Sequence, residues 1–145
     1  MKTYQPKVKE VKREWHLVDA KDQILGRLAS EIASLLIGKH KPTFSKHIDV
    51  GDFVVVLNVE KVMLTGRKET QKLYRSHSGY PGGFKEITAQ KLREKHPERI
   101  IKKAVFGMLP DNRLKKQRMA RLKLVVGKEN PFMDKFGKEE NGKKS

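Results

Sequence analysis

Residues 15–58 read WHLVDAKDQILGRLASEIASLLIGKHKPTFSKHIDVGDFVVVLN, and this stretch decides the fold. Its first six residues, WHLVDA, suit a short strand. Asp22 then stands where a helix cap belongs, ahead of Leu25, Leu28, Ala29, Ile32, Ala33 and Leu36. Those positions follow the three-and-four spacing of one buried helical face. Gly38 suits the helix C-terminus, and Pro42 keeps the helix from resuming. Asp52 to Asn58, DFVVVLN, is an unbroken apolar run rich in β-branched residues, as expected of a strand covered on both faces. Strand, helix and strand in that order predict a βαβ unit, with parallel strands joined by a right-handed crossover.

The link from Gly38 to Asp52 is longer than such a unit needs. It carries Lys39, His40, Lys41, Lys46 and His47, so it reads as a basic contact loop. Residues 64–85 are polar and aromatic and end in HSGYPGGFK, which predicts an extended hairpin or projecting loop with a glycine-rich tip. Thr88 to Lys95 suits a short helix. Pro97 suits the first turn of another, whose apolar stripe is Ile100, Ile101, Ala104, Val105 and Met108. Residues 105–127, VFGMLPDNRLKKQRMARLKLVVG, join that helix end to a dense basic segment and then to an alternating strand at Leu122, Leu124 and Val126. Three stretches result: a basic arm over 1–14 that orders on a partner, one domain over 15–127, and a loosely held tail over 128–145.

A chain of 145 residues suits one domain and is long enough to bury a core. Charged residues make up 34% of it, and 33 Lys+Arg against 17 Asp+Glu leave a net charge of +16. Such an excess opposes compaction unless an acidic partner relieves it. Nucleic acid is the first candidate. A membrane is disfavoured, because the longest apolar run, Phe53 to Leu57, falls far short of the roughly 20 residues that span a bilayer. No apolar segment follows the charges of MKTYQPKVKEVKREW, so no secretory signal is read there. With no cysteine, disulfides and thiolate metal sites are excluded.

Two segments read as contacts for a polyanion. Arg113, Lys115, Lys116, Arg118, Arg121 and Lys123 have Asp111 as their only acidic neighbour, whereas a merely solvated face would mix signs. The helix start near Asp111 and Asn112 adds backbone N–H groups. In the hairpin, Tyr74 and Tyr80 offer rings for stacking on unpaired bases, Arg75 and Lys85 offer charge, and Gly82 and Gly83 admit close approach. A surface turn with incidental aromatics is the plainer alternative. Gly38-Lys39-His40 lacks the earlier glycine and the hydroxyl of a phosphate-binding loop, having Ala33 and His40 at those places. His77 beside Ser78 lacks a third orienting group, so no catalytic residue is assigned. The histidines at 16, 40, 47, 77 and 96 lack metal-ligand spacing. Asp49 and Asp52 are close enough to suggest a carboxylate pair, although Asp52 reads simply as the opening of the strand. Trp15 reads as a core or stacking residue. No cofactor and no small-molecule substrate are expected.

From Lys2 to Gly127 the chain resembles the bacterial form of large-subunit ribosomal protein thirteen. The resemblance is carried by WHLVDA, by Leu25-Gly26-Arg27-Leu28-Ala29, by GKHKPTFSKHIDVGDFVVVLNVEKV, and then by LTGRK, HSGYPGG and GMLPDNRL, in order and at the right spacing. It implies a three-layer α/β/α domain with a small, mainly parallel sheet. It also implies a non-enzymatic structural constituent of the large ribosomal subunit, cytoplasmic and present as a monomer within the ribosome. Such a protein binds large-subunit rRNA early in assembly, beside neighbouring large-subunit proteins. Regulatory binding to mRNA outside the ribosome is the alternative. The implied RNA contacts fall on Lys39, His40 and Lys41, on Lys68, Tyr74, Arg75, His77, Tyr80, Gly82 and Gly83, and on Arg113, Lys116, Arg118 and Arg121. Lys85 and Lys115 join them on charge. The chain departs from the family pattern in three places. Lys115 replaces a usual glycine, Tyr74-Arg75-Ser76-His77 replaces Y-Y-R-H, and Glu129-Asn130-Pro131-Phe132 replaces a histidine-rich ending.

Overall fold

The β-branched run takes the centre of the sheet. β2 (Phe53–Leu57) lies between β1 (Trp15–Asp19) and β5 (Leu122–Leu124), and both pairings are parallel. The computed structural model describes residues 3–136 of the chain. A central parallel strand is covered on both faces, and Val54, Val55 and Val56 are indeed fully buried. Burial of each such side chain contributes about 1.5–3 kcal/mol.

α1 (Leu25–Ile37) is the crossover between β1 and β2, and the residues on its predicted stripe are all buried. It ends at Gly38, which adopts φ 88° and donates its N–H to the Ser34 carbonyl. The start differs from the expectation. Asp22 is not the cap; it sits at φ 59°, and Ile24 occupies the cap position without a side-chain bond. The adjoining segment supplies the acceptors instead, because Leu25 N–H bonds the Met63 carbonyl and Asp22 N–H bonds the Lys61 carbonyl.

Val18, Val54, Val56 and Leu122 point from one face of the sheet into a core shared with α1 and with α4 (Glu98–Met108). Strand alternation puts Trp15, Leu17, Phe53 and Val55 on the other face. There Trp15 stacks on Phe53 with ring centroids 4.3 Å apart. Residues beyond β5 turn back over the same spot, and the rings of Phe132 and Phe136 stand 5.9 and 6.2 Å from that of Trp15. The result is a mixed α/β fold with a small, mainly parallel sheet, as the sequence implied.

The segment after β2 forms one helical turn, α2 (Lys68–Gln71), and then the expected hairpin. β3 (Leu73–His77) pairs antiparallel with β4 (Phe84–Thr88), in the register Leu73 opposite Thr88 and His77 opposite Phe84. Thr88 closes β4 and also caps α3 (Ala89–Lys95), accepting the Lys91 N–H. The basic segment forms a separate short helix, α5 (Lys115–Ala120), before β5.

Candidate nucleic-acid interface

A helix turns every third or fourth residue to the same side, and α5 divides the basic segment accordingly. Arg113 and Lys116 are exposed, whereas Lys115, Arg118 and Arg121 are buried at 8%, 1% and 7% exposure. These three residues therefore depart from the expectation of outward-facing contacts. Arg121 makes a forked ion pair with Asp49 through both terminal nitrogens and also donates to the Leu36 carbonyl, 2.9 Å away. A cation at the C-terminal end of α1 also complements the helix dipole. Arg118 lies 3.8 Å from the same carboxylate, and its Nε has no hydrogen-bond partner among the described residues. Lys115 pairs with Asp111 at 2.6 Å and stands 3.7 Å over the Phe106 ring. Residue 115 opens α5, and Asp22 and Asn58 are the only non-glycine residues at positive φ among those described. Lysine therefore fits there without a glycine's conformational freedom. No helix start at Asp111 and Asn112 offers N–H groups either: the helix begins at Lys115, and Asn112 Oδ1 takes the Leu114 N–H.

Asp49 and Asp52 do not pair with each other. Each gathers its own cations. Asp49 receives Arg121, Arg118 and Arg13, the last at 3.8 Å, while Arg13 also donates to the carbonyls of Asp49 and Gly51. Burial alone would raise the Asp49 pKa, but the Arg121 hydrogen bonds and charge hold it below the usual carboxylate value. Burial lowers the pKa values of Arg13 and Arg118, with repulsion from Arg121 adding to it. Asp52 is fully buried. It accepts from His16 Nε2 at 2.8 Å and His40 Nε2 at 2.9 Å on one oxygen, and from Lys41 at 2.6 Å and the Glu14 N–H at 3.1 Å on the other. Those bonds outweigh burial and hold the Asp52 carboxyl low as well. Asp52 thus does far more than open the strand.

His16, His40 and Asp52 bring three metal-type donor atoms within 4.8 Å of one another. Their separations are those of hydrogen bonds, and Lys41 already supplies a cation to the carboxylate. The group is therefore a neutralised buried acid that ties the end of the arm and the basic loop to β2. Gly51, between the two acids, is indispensable to this packing, because a Cβ there would stand 1.7 Å from the Leu36 carbonyl oxygen.

At the hairpin, Tyr80 is 74% exposed and His77 and Lys85 are also open. Arg75 is exposed and lies 3.4 Å from Glu86 across the strands. Tyr74, in contrast, is buried, and burial raises its pKa. The ammonium groups of Lys72 and Lys103 stand 5.4 and 5.1 Å from its ring centroid, so Tyr74 offers no open stacking face. The tip glycines serve different needs. Gly82 adopts φ 72° in open space, whereas a Cβ on Gly83 would meet Ser78 Oγ at 1.9 Å.

The structure thus brings Lys39, His40 and Lys41 to the same end of α1 as Arg118 and Arg121. The hairpin lies apart, beside α2, α3 and α4. Lys39, Lys68, Lys85, Arg113 and Lys116 are the exposed cations of the expected set that have no ion pair among the described residues. Sequence reading missed Arg13, His16, Asp49, Gly51 and Asp52. The only advance signal was a pair of acids in an otherwise basic loop.

A family model described as Ribosomal protein L13 matches residues 13–131. The large ribosomal subunit protein uL13 of a Roseiflexus species is 56% identical over 131 residues, covering 90% of each chain. That of Dictyoglomus thermophilum is 52% identical over 141 residues, 97% of this chain and 99% of the relative. That of Pelodictyon phaeoclathratiforme is 58% identical over 130 residues, 90% of this chain and 87% of the relative.

Proposed function

The chain belongs to the ribosomal protein L13 family, and on that premise we propose that it is a structural, non-enzymatic constituent of the large ribosomal subunit. In this reading it binds large-subunit rRNA and helps organise it early in assembly. It acts as one copy within the subunit, in the cytoplasm, beside neighbouring large-subunit proteins. One observation carries the rRNA-binding part. Buried acids take up Arg13, Lys41, Arg118 and Arg121, yet Lys39, Lys68, Lys85, Arg113 and Lys116 remain outside, exposed and unpaired among the described residues. The internal set fixes the loops, and the external set is left to meet phosphates.

Filter binding to large-subunit rRNA across salt tests this. A protein making about 6–10 phosphate contacts on duplex DNA loses roughly 10³–10⁵-fold in affinity between about 50 and 200 mM salt. Binding to rRNA should fall steeply in the same direction. An affinity that hardly changes over that range would refute the phosphate-neutralising mechanism.

A further inference from the structure

Two concavities adjoin at the turn before the hairpin and share Thr65, Lys68 and Lys72. The first is lined also by Gly66, Arg67 and Gln71, so that three of its six residues, Arg67, Lys68 and Lys72, are cations. The second is an apolar notch of about 210 Å³, walled by Ile24, Leu25, Met63, Leu64, Ala104 and Met108. No acidic residue lines either one. Glu69, which follows Lys68 in the sequence, is held 2.8 Å from Arg93 Nε. Lys68 and Lys72 have no ion pair among the described residues.

Gly26, the second residue of α1, also lines the notch. A Cβ on Gly26 would meet nothing within 4 Å. Glycine inside a helix costs about 0.5–1 kcal/mol relative to alanine, so neither packing nor helix stability explains it. Its effect is to keep the notch open. Met63 and Met108, on the walls, are 47% and 42% exposed. The Ser30 hydroxyl donates to the Gly26 carbonyl at 3.0 Å, and its oxygen lies 3.5 Å from Met108 Sδ. Thioether sulfur makes favourable contact with aromatic rings. An occupant that presents a flat ring face and, one step away, a negative charge suits both concavities. A nucleotide presents both within a single residue, whereas an acidic peptide needs two side chains placed independently.

We propose that this double concavity takes one unpaired nucleotide of RNA, the base between Met63 and Met108 over Gly26 and the flanking phosphates on Lys68 and Lys72. The inference rests on the rRNA-binding reading and deepens it. The base must be unpaired, because a base within a duplex cannot offer its ring to a side notch.

The test uses the full chain and protein-free large-subunit rRNA. Gly26→Leu fills the notch and meets no neighbour at its Cβ. It should leave the thermal midpoint at or above that of the wild type and weaken binding about tenfold or more, with the salt slope intact. Lys68→Gln with Lys72→Gln should instead lower that slope by about one to two. Wild-type protein crosslinked to rRNA carrying 4-thiouridine should give adducts on peptides bearing Met63 or Met108, at unpaired uridines. This arm decides the matter even where Gly26→Leu fails to fold. A folded Gly26→Leu variant that binds as wild type overturns the proposal, as do adducts confined to paired positions. So does a variant that binds protein-free rRNA normally yet fails to enter large-subunit particles, which would assign the notch to a protein segment. Absence of any rRNA binding by the wild type would instead sink the broader reading.

Discussion

Asp49 is where buried positive charge converges, with Arg13, Arg118 and Arg121 all within 4.0 Å of its carboxylate. Removing one partner of a buried ion pair typically costs about 3–5 kcal/mol, because the other charge stays buried and uncompensated. Asp49→Asn should therefore lower the free energy of unfolding by about that amount, read from the urea midpoint at unchanged m. Arg118 offers the contrast. It is fully buried, lies 3.8 Å from Asp49, and leaves its Nε unbonded among the described residues. Without Arg118, Asp49 still has Arg121 and Arg13, so no buried charge is left uncompensated. Arg118→Met should stay within about 1 kcal/mol of wild type. A large loss would show that the guanidinium is better satisfied than its geometry indicates.

α5 separates what was legible from what was not. Charge reversal at its exposed positions, Arg113→Glu with Lys116→Glu, should weaken rRNA binding and leave the thermal midpoint unchanged. Arg121→Glu should do the reverse of the second part and lower the midpoint sharply, because it sets two carboxylates together in the interior. Equal loss of stability in both variants would refute the division of the helix into two faces. β1, α1 and β2 could be read in advance because the apolar pattern reports what is covered: the Leu25 to Leu36 stripe marks one buried helical face, and the unbroken run FVVVL marks a strand covered on both faces. A run of lysine and arginine carries no such contrast. Lys115, Arg118 and Arg121 do recur at helical spacing, but their inward face becomes readable only with Asp111 and Asp49 in place. Asp49 lies 72 residues from Arg121 along the chain. Tyr74 fails for a related reason. Alternation along β3 turns it inward, while composition alone marked it as a stacking ring.

Asp49 and Asp52 together join distant parts of the molecule: the end of the arm through Arg13 and Glu14, β1 through His16, the basic loop through His40 and Lys41, and the end of α5 through Arg121. Both carboxyls are held below their ordinary pKa, against the opposing effect of burial, by hydrogen bonds and nearby cations. A group whose folded pKa is depressed stabilises the fold fully above its unfolded value, here about 3.9. That stability is lost as pH falls through the folded value. The direction is the same for both residues, so the losses reinforce one another. The net charge of +16 at pH 7 grows further as the remaining acids protonate, which adds repulsion. The urea midpoint should therefore hold between about pH 5 and 7 and fall steeply below about pH 4. Asp52→Asn should be less stable than wild type at the upper end and lose less stability on acidification, so that the two curves converge at low pH. Curves that stay parallel down to about pH 2 would show that Asp52 does not couple arm, loop and sheet through its charge.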